Sequence, residues 1–125
     1  KLDAHQEELK KKFVEKMGYW HGFRDTLLMN DENFFESYYQ FLTNPWDSDI
    51  LSPKLKEFIY IAIDSATTHL FDVGIRVHIK SALKYGATFE EIMEVFKLTS
   101  AQGVDTFYAG IPILQSVLAD KKLHK

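Results

Sequence analysis

An all-α fold is predicted by three features of the sequence: apolar residues recurring every three and four positions, helix-starting and helix-ending residues bounding those runs, and no apolar/polar alternation of the kind that makes strands. At 125 residues, 46% of them hydrophobic, the chain is long enough for one real core and too short for two. Residues 1–125 are therefore read as a single domain of about six to seven helices, with an N-terminal helical arm over 1–50 divided by a loop from the rest.

The first helix is expected over Asp3–Met17, with Leu9, Phe13 and Met17 on one stripe, Glu7, Glu8 and Lys10–Lys12 in water, and Gly18 as its end. A short second helix covers Trp20–Met29. Asn30 or Asp31 can cap a third that turns Phe34, Phe35, Tyr38, Phe41 and Leu42 toward the core and stops before Pro45. Asn44–Leu51, with Pro45, Asp47, Ser48 and Asp49, reads as a loop. Ser52-Pro53 starts the next helix, a serine cap followed by proline at the first helical position, where the missing N–H costs nothing. Its expected buried face is Leu55, Phe58, Ile59, Ala62, Ile63 and Ala66. A helix over Leu70–Tyr85 should end at Gly86 in a left-handed cap. Thr88-Phe89-Glu90-Glu91 is a capping box, opening a helix with Ile92, Val95, Phe96 and Thr99 inward. Gly103 separates it from a last helix over Val104–Asp120. Pro112 should kink that helix, because it cannot donate to the carbonyl of Tyr108.

Composition excludes several function classes. The net charge is −3 and the lysines are scattered or near the ends, so no basic stripe suits a phosphate backbone and nucleic acid is not an expected partner. No apolar run approaches the roughly 20 residues that span a bilayer, and the charged start lacks the apolar stretch of a secretory signal; no membrane association and a cytoplasmic location are expected. With no cysteine there is no disulfide, thiolate nucleophile or Cys-ligated metal. Neither a Gly-x-Ser-x-Gly elbow nor a Gly-rich phosphate loop is present, and the His and Asp spacing matches no recognised metal motif. Neither cofactor nor metal is expected.

The stretch HIKSALKYGATFEEIMEV, His78–Val95, resembles the signature of the carboxymuconolactone decarboxylase / AhpD-like superfamily: a histidine four residues before a small residue, then glycine, Ala-Thr and a Glu-Ile pair, here His78, Ala82, Gly86, Ala87-Thr88 and Glu91-Ile92. Lys56–Ala66 is similar to the family's preceding helix, with its glutamate at Glu57, and Gly110-Ile111-Pro112 to the element that follows. The resemblance covers roughly Leu51–Leu118. It implies an AhpD-like helical domain, assembled as a trimer or hexamer. The redox branch of the family carries a Cys-x-x-Cys pair; counted back from His78 those positions are Gly74 and Phe71, and counted forward from Glu57 they are His69 and Asp72. On either count no thiol remains, which contradicts peroxidase chemistry. What remains is similarity to the decarboxylase branch, which acts without a cofactor on a small carboxylated lactone.

Glu57, Tyr60, Asp64 and Thr67, spaced three, four and three apart, lie on one side of the Ser52–Thr68 helix. A carboxylate within the run Phe58–Ala66 needs a partner. Glu57 can pair with a cation of a neighbouring helix or subunit, and Asp64 can order the Thr67–His69 turn; alternatively, both serve catalysis. His78 suits proton transfer near neutral pH, although spacing alone also fits a hydrogen-bonded core histidine; the resemblance places it on the family's histidine. His69 is a second acid/base candidate or a helix-start residue. Arg76 can hold a substrate carboxylate or form a surface ion pair. Tyr60, Phe71 and Tyr108 complete the candidate substrate contacts, the rings of Phe71, Phe107 and Tyr108 keeping a pocket dry. The resulting expectation is a cofactor-independent decarboxylase or isomerase for a small carboxylate. The alternative is a non-catalytic oligomer of the same fold that binds a ligand or acts as a scaffold.

Overall fold

The structure, a computed structural model, describes residues 1–120 and 122. Among the described residues there are helices and no strands: α1 (Ala4–Met17), α2 (Phe23–Asn30), α3 (Glu32–Thr43), α4 (Pro53–Ser65), α5 (Asp72–Lys84), α6 (Phe89–Ser100) and α7 (Asp105–Ala119), with 3-10 turns at Asn44–Asp47 and Ala101–Val104. No helix is long and apolar enough to cross a membrane among the described residues. The chain divides into two compact units, residues 1–56 and 57–125.

Local chemistry explains where the helices begin and end. Asp3 and Gln6 cap α1 reciprocally, each side chain accepting from the other's backbone N–H. Asp31 rather than Asn30 caps α3, accepting from Phe34 N–H at 2.9 Å. Ser52 Oγ accepts from Leu55 N–H at 3.2 Å at the start of α4. Thr88 and Glu91 close the expected capping box with bonds of 3.0 and 3.1 Å. Gly18 and Gly86 adopt φ of 82° and 89°, the left-handed region that ends a helix cheaply only without a Cβ.

Within residues 1–56 the core is aromatic. Phe13 and Phe35 are fully buried, and Leu9, Met17 and Leu28 join them. Tyr19 and Trp20 meet Phe13 edge-on, with ring centroids 5.6 and 5.3 Å away. Arg24 is buried in this cluster: its guanidinium lies 4.4 Å from the Phe23 ring and 4.8 Å from that of Phe13, and its Nε donates to Tyr38 Oη at 3.1 Å. The expected inward face of α3 needs correction. Phe35 is buried and Tyr38 and Leu42 pack beside it, but Phe34 and Phe41 are exposed. Five apolar residues cannot share the narrow stripe that a 12-residue helix offers one core.

Within residues 57–125 the core is small, formed by Ile61, Ala82, Ala87 and Ile92 with Phe58, Ile79, Val95 and Phe96 against it. Here α4 is rotated from expectation. Its buried positions are Lys56, Glu57, Ile61 and Asp64, while Ile59 and Ile63, like Leu55 earlier in the helix, are exposed. The polar side turns inward because α5 supplies a partner for its carboxylates. Helix α5 also starts later than expected, at Asp72, since Leu70 has φ of 44° and cannot belong to a right-handed helix. The last helix starts at Asp105, after the 3-10 turn, and runs through Pro112. It is apolar yet exposed along its length, including Phe107, Tyr108, Ile113 and Leu114.

Candidate active site

Glu57 and Asp64, seven residues apart on α4, face the same side two turns from each other, and His78 on α5 meets both. His78 Nδ1 lies 2.7 Å from Glu57 Oε2, with both side chains almost wholly buried, at 10% and 4% exposure. An ionised carboxylate can only accept, so the Nδ1–H donates to Glu57 and Nε2 is the ring nitrogen turned away from it. That nitrogen points at Asp64, whose Oδ2 is 3.7 Å away. The Tyr60 ring, one turn along α4 from Glu57, stacks on the imidazole at 4.5 Å with an interplanar angle of 26°. The ring of His78 is thus held from its edge by a carboxylate and from its face by a phenol.

Asp64 has a second imidazole on its other oxygen: Oδ1 lies 3.3 Å from His69 Nε2. The turn after α4 brings His69 back to that carboxylate. Ala66 O accepts from both His69 N–H (2.8 Å) and Leu70 N–H (2.9 Å), and Asp64 O accepts from Phe71 N–H at 2.7 Å. Leu70 takes the left-handed conformation in that turn, which is strained for a residue with a branched side chain. The Asp64 carboxylate sits directly on the backbone of Gly74, where an added Cβ would lie 2.1 Å from Oδ2. Nothing but glycine fits there without moving the acid.

Of the residues singled out from the sequence, Glu57, Tyr60, Asp64, His69 and His78 come together. Phe71 lies beside His69, with ring centroids 5.5 Å apart. Arg76 does not join them: it points to solvent and reaches Asp72 at 3.9 Å on its own helix. Tyr108 stands exposed on α7, at 86%. Sequence reasoning missed Gly74 as the seat of the carboxylate; the signal available was a glycine inside a helix, where it costs stability unless something requires it. Beside this cluster runs an open groove of about 800 Å3, lined by Ala62, Ile63, Ala66, Thr68, His69, Leu98, Thr99 and Gln102. His69 is the member of the cluster that reaches it. Among the described residues, no group of three or more His, Asp or Glu side chains is placed to hold a metal ion.

The sequence model of the carboxymuconolactone decarboxylase family matches residues 32–119. The chain belongs to the carboxymuconolactone decarboxylase family. A solved structure from Burkholderia xenovorans LB400 superposes with a TM-score of 0.84 at 42% sequence identity, over 94% of this chain and 47% of that one. Its name, given provisionally, is that of a gamma-carboxymuconolactone decarboxylase subunit. This family member thus spans about half the length of the structure it matches. No curated protein matches its sequence. The family match begins at Glu32, so it takes in α3 as well as the helices that carry Glu57, Asp64 and His78.

Proposed function

We propose that this chain is a cofactor-independent lyase or isomerase for a small carboxylated, lactone-like substrate, with His78 as the proton-moving group. The observation that carries the reading is the buried 2.7 Å pair of His78 Nδ1 and Glu57 Oε2, which fixes the tautomer and orients Nε2. In a decarboxylation the bond to the departing carboxylate breaks, its electron pair passes into the conjugated lactone carbonyl, and carbon dioxide leaves. The resulting dienolate then takes a proton from His78 Nε2–H at carbon. Water resupplies the proton that the product carries away, the neighbouring negative charge of Asp64 favours its uptake at Nε2, and Glu57 stabilises the imidazolium between turnovers. Tyr60 keeps the ring from swinging off axis.

The cation that holds the substrate's carboxylate comes from outside this cluster, because Arg76 is turned to solvent. A neighbouring copy of the chain is its source in this reading. Assembly as a homo-oligomer, a trimer or hexamer, is supported by α7, a helix rich in apolar residues and exposed throughout, and by the word subunit in the name of the related structure.

The test is turnover of a panel of carboxylated lactones and muconate-type acids, followed by carbon dioxide release and ultraviolet absorbance. Wild type should turn over at least one compound, and H78A should lower the rate by about 100-fold or more, the range general acid–base groups contribute. Equal rates in wild type and H78A would refute the assignment. A second reading, a non-catalytic oligomer that binds a ligand in the groove, is favoured by one observation: the groove is lined by His69 but not by His78 or Glu57. Silence across the panel from folded, assembled protein would favour it.

A further inference from the structure

His78 and Glu57 are buried to 8% and 3% exposure, yet a group that moves protons must exchange them with something outside. On its far side from Glu57, His78 faces Asp64. Asp64 in turn faces His69, whose side chain is 51% exposed and lines the groove. The order Glu57, His78, Asp64, His69 alternates carboxylate and imidazole from the interior to the surface. Each contact uses a different atom: Oε2 to Nδ1, Nε2 to Oδ2, and Oδ1 to Nε2. Two features that destabilise their surroundings hold this order in place. Gly74 sits within a helix where alanine would be favoured, and Leu70 takes a backbone conformation that glycine would be favoured to adopt. The first makes room for Asp64 and the second turns the chain that returns His69 to it.

We propose that His69 is the proton port of the buried pair, exchanging protons between the groove and His78 through Asp64. This rests on the reading of His78 as the proton-moving group. In one passage outward, His78 Nε2–H gives its proton to the ionised Asp64 carboxylate at Oδ2, the neutral carboxyl so formed turns to deliver that same proton to His69 Nε2, and His69 Nδ1–H releases one to water. Imidazolium at His78 and neutral His69 become neutral His78 and imidazolium at His69, which then returns to neutral; charge and protons balance and no other reactant is needed. The 3.7 Å gap between Nε2 and Oδ2 must close by somewhat under 1 Å to reach hydrogen-bond distance. His69 and Asp64 act here through His78 and are positioning residues.

The experiment reads exchange of the His78 ring N–H with water by NMR on the 15N-labelled full chain, with no substrate present. H69Q and D64N should each slow that exchange by about tenfold or more. G74A should do the same, because its Cβ displaces the Asp64 carboxylate. Adding free imidazole to H69G should restore the wild-type rate, which a merely structural role for His69 would not permit. Exchange at the wild-type rate in H69Q, or an H69G variant that imidazole leaves slow, would overturn the proposal. Because no turnover is measured, slow exchange rescued by imidazole supports the port even if the substrate panel stays silent, so the two readings can fail separately.

Discussion

Residues 1–56 and 57–125 solve burial in opposite ways. The first unit buries Phe13, Phe35 and Leu28 completely and lets the cation of Arg24 lie among aromatic faces. The second encloses two carboxylates and an imidazole around a core of small residues, and leaves Ile59, Ile63, Ile113 and Leu114 outside. A core filled with hydrocarbon gains stability in proportion to the area it hides; one filled with charged partners gains little net, since desolvation offsets their attraction. The comparison teaches that stability is concentrated in the aromatic unit, while the second unit gives up apolar burial to enclose Glu57, Asp64 and His78 and leaves the apolar side chains of α7 exposed.

The largest expected effect is at Phe13. Phe13→Ala should cost about 3–5 kcal/mol of unfolding free energy in a denaturant titration, from lost burial plus the cavity left behind. A loss below about 1 kcal/mol would break the comparison by showing that the aromatic cluster is not the seat of stability. Next comes the uncovered surface of α7. On the proposal that another copy of the chain covers this surface, Ile113→Glu should reduce the mass measured by light scattering toward that of a single chain, since a charge cannot be buried in an apolar contact without a partner. An unchanged oligomer would place the covering contacts elsewhere.

Much of this was legible in the sequence. The all-α class, the capping box at Thr88 and Glu91, and the ends at Gly18 and Gly86 follow from single residues whose backbone or hydrogen-bonding needs are local. The family was legible from His78–Val95, and the grouping of Glu57, Tyr60 and Asp64 on one helical side from their spacing. The rotation of α4 was not legible. Periodicity gives a helix two candidate faces, and which one turns inward depends on whether a distant residue, here His78, can satisfy the carboxylates. The same limit hid the burial of Arg24, two of whose ring partners lie 11 residues before it and 14 after it. The left-handed Leu70 was missed because nothing in a leucine announces that conformation.

Leu70 offers a smaller, sharper test. Leu70→Gly should raise stability by about 1 kcal/mol, because the side chain is 64% exposed and the backbone strain it carries would be relieved. Destabilisation instead would mean that the leucine side chain makes an essential contact. The smallest effect is expected in the first unit, at the exposed pair of Lys16 and Asp47. The hydrogen bond from Lys16 to Asp47 raises the lysine's pKa. A raised lysine pKa stabilises the fold below the unfolded value of about 10.4, and that contribution is lost as pH climbs through the folded value. Lys16→Met should cost no more than about 0.5 kcal/mol at neutral pH, and the difference from wild type should vanish in alkaline titrations once the pH has passed the raised pKa of Lys16.

Gly74 has a consequence for how sequences of this kind can change. The volume a side chain at position 74 would occupy is already taken by the Asp64 carboxylate, so the two positions are mutually exclusive in what they can hold. Substitutions there are epistatic: Gly74→Ala should be damaging in the presence of Asp64 and less so once residue 64 is shortened to serine, with only the Phe71 ring, whose Cδ2 would lie 2.7 Å from the added Cβ, left to shift, making the double variant more stable than the sum of the single effects. A lineage can acquire a reactive side chain at position 74 or keep the acid at position 64. It reaches one from the other only by passing through a chain that has neither.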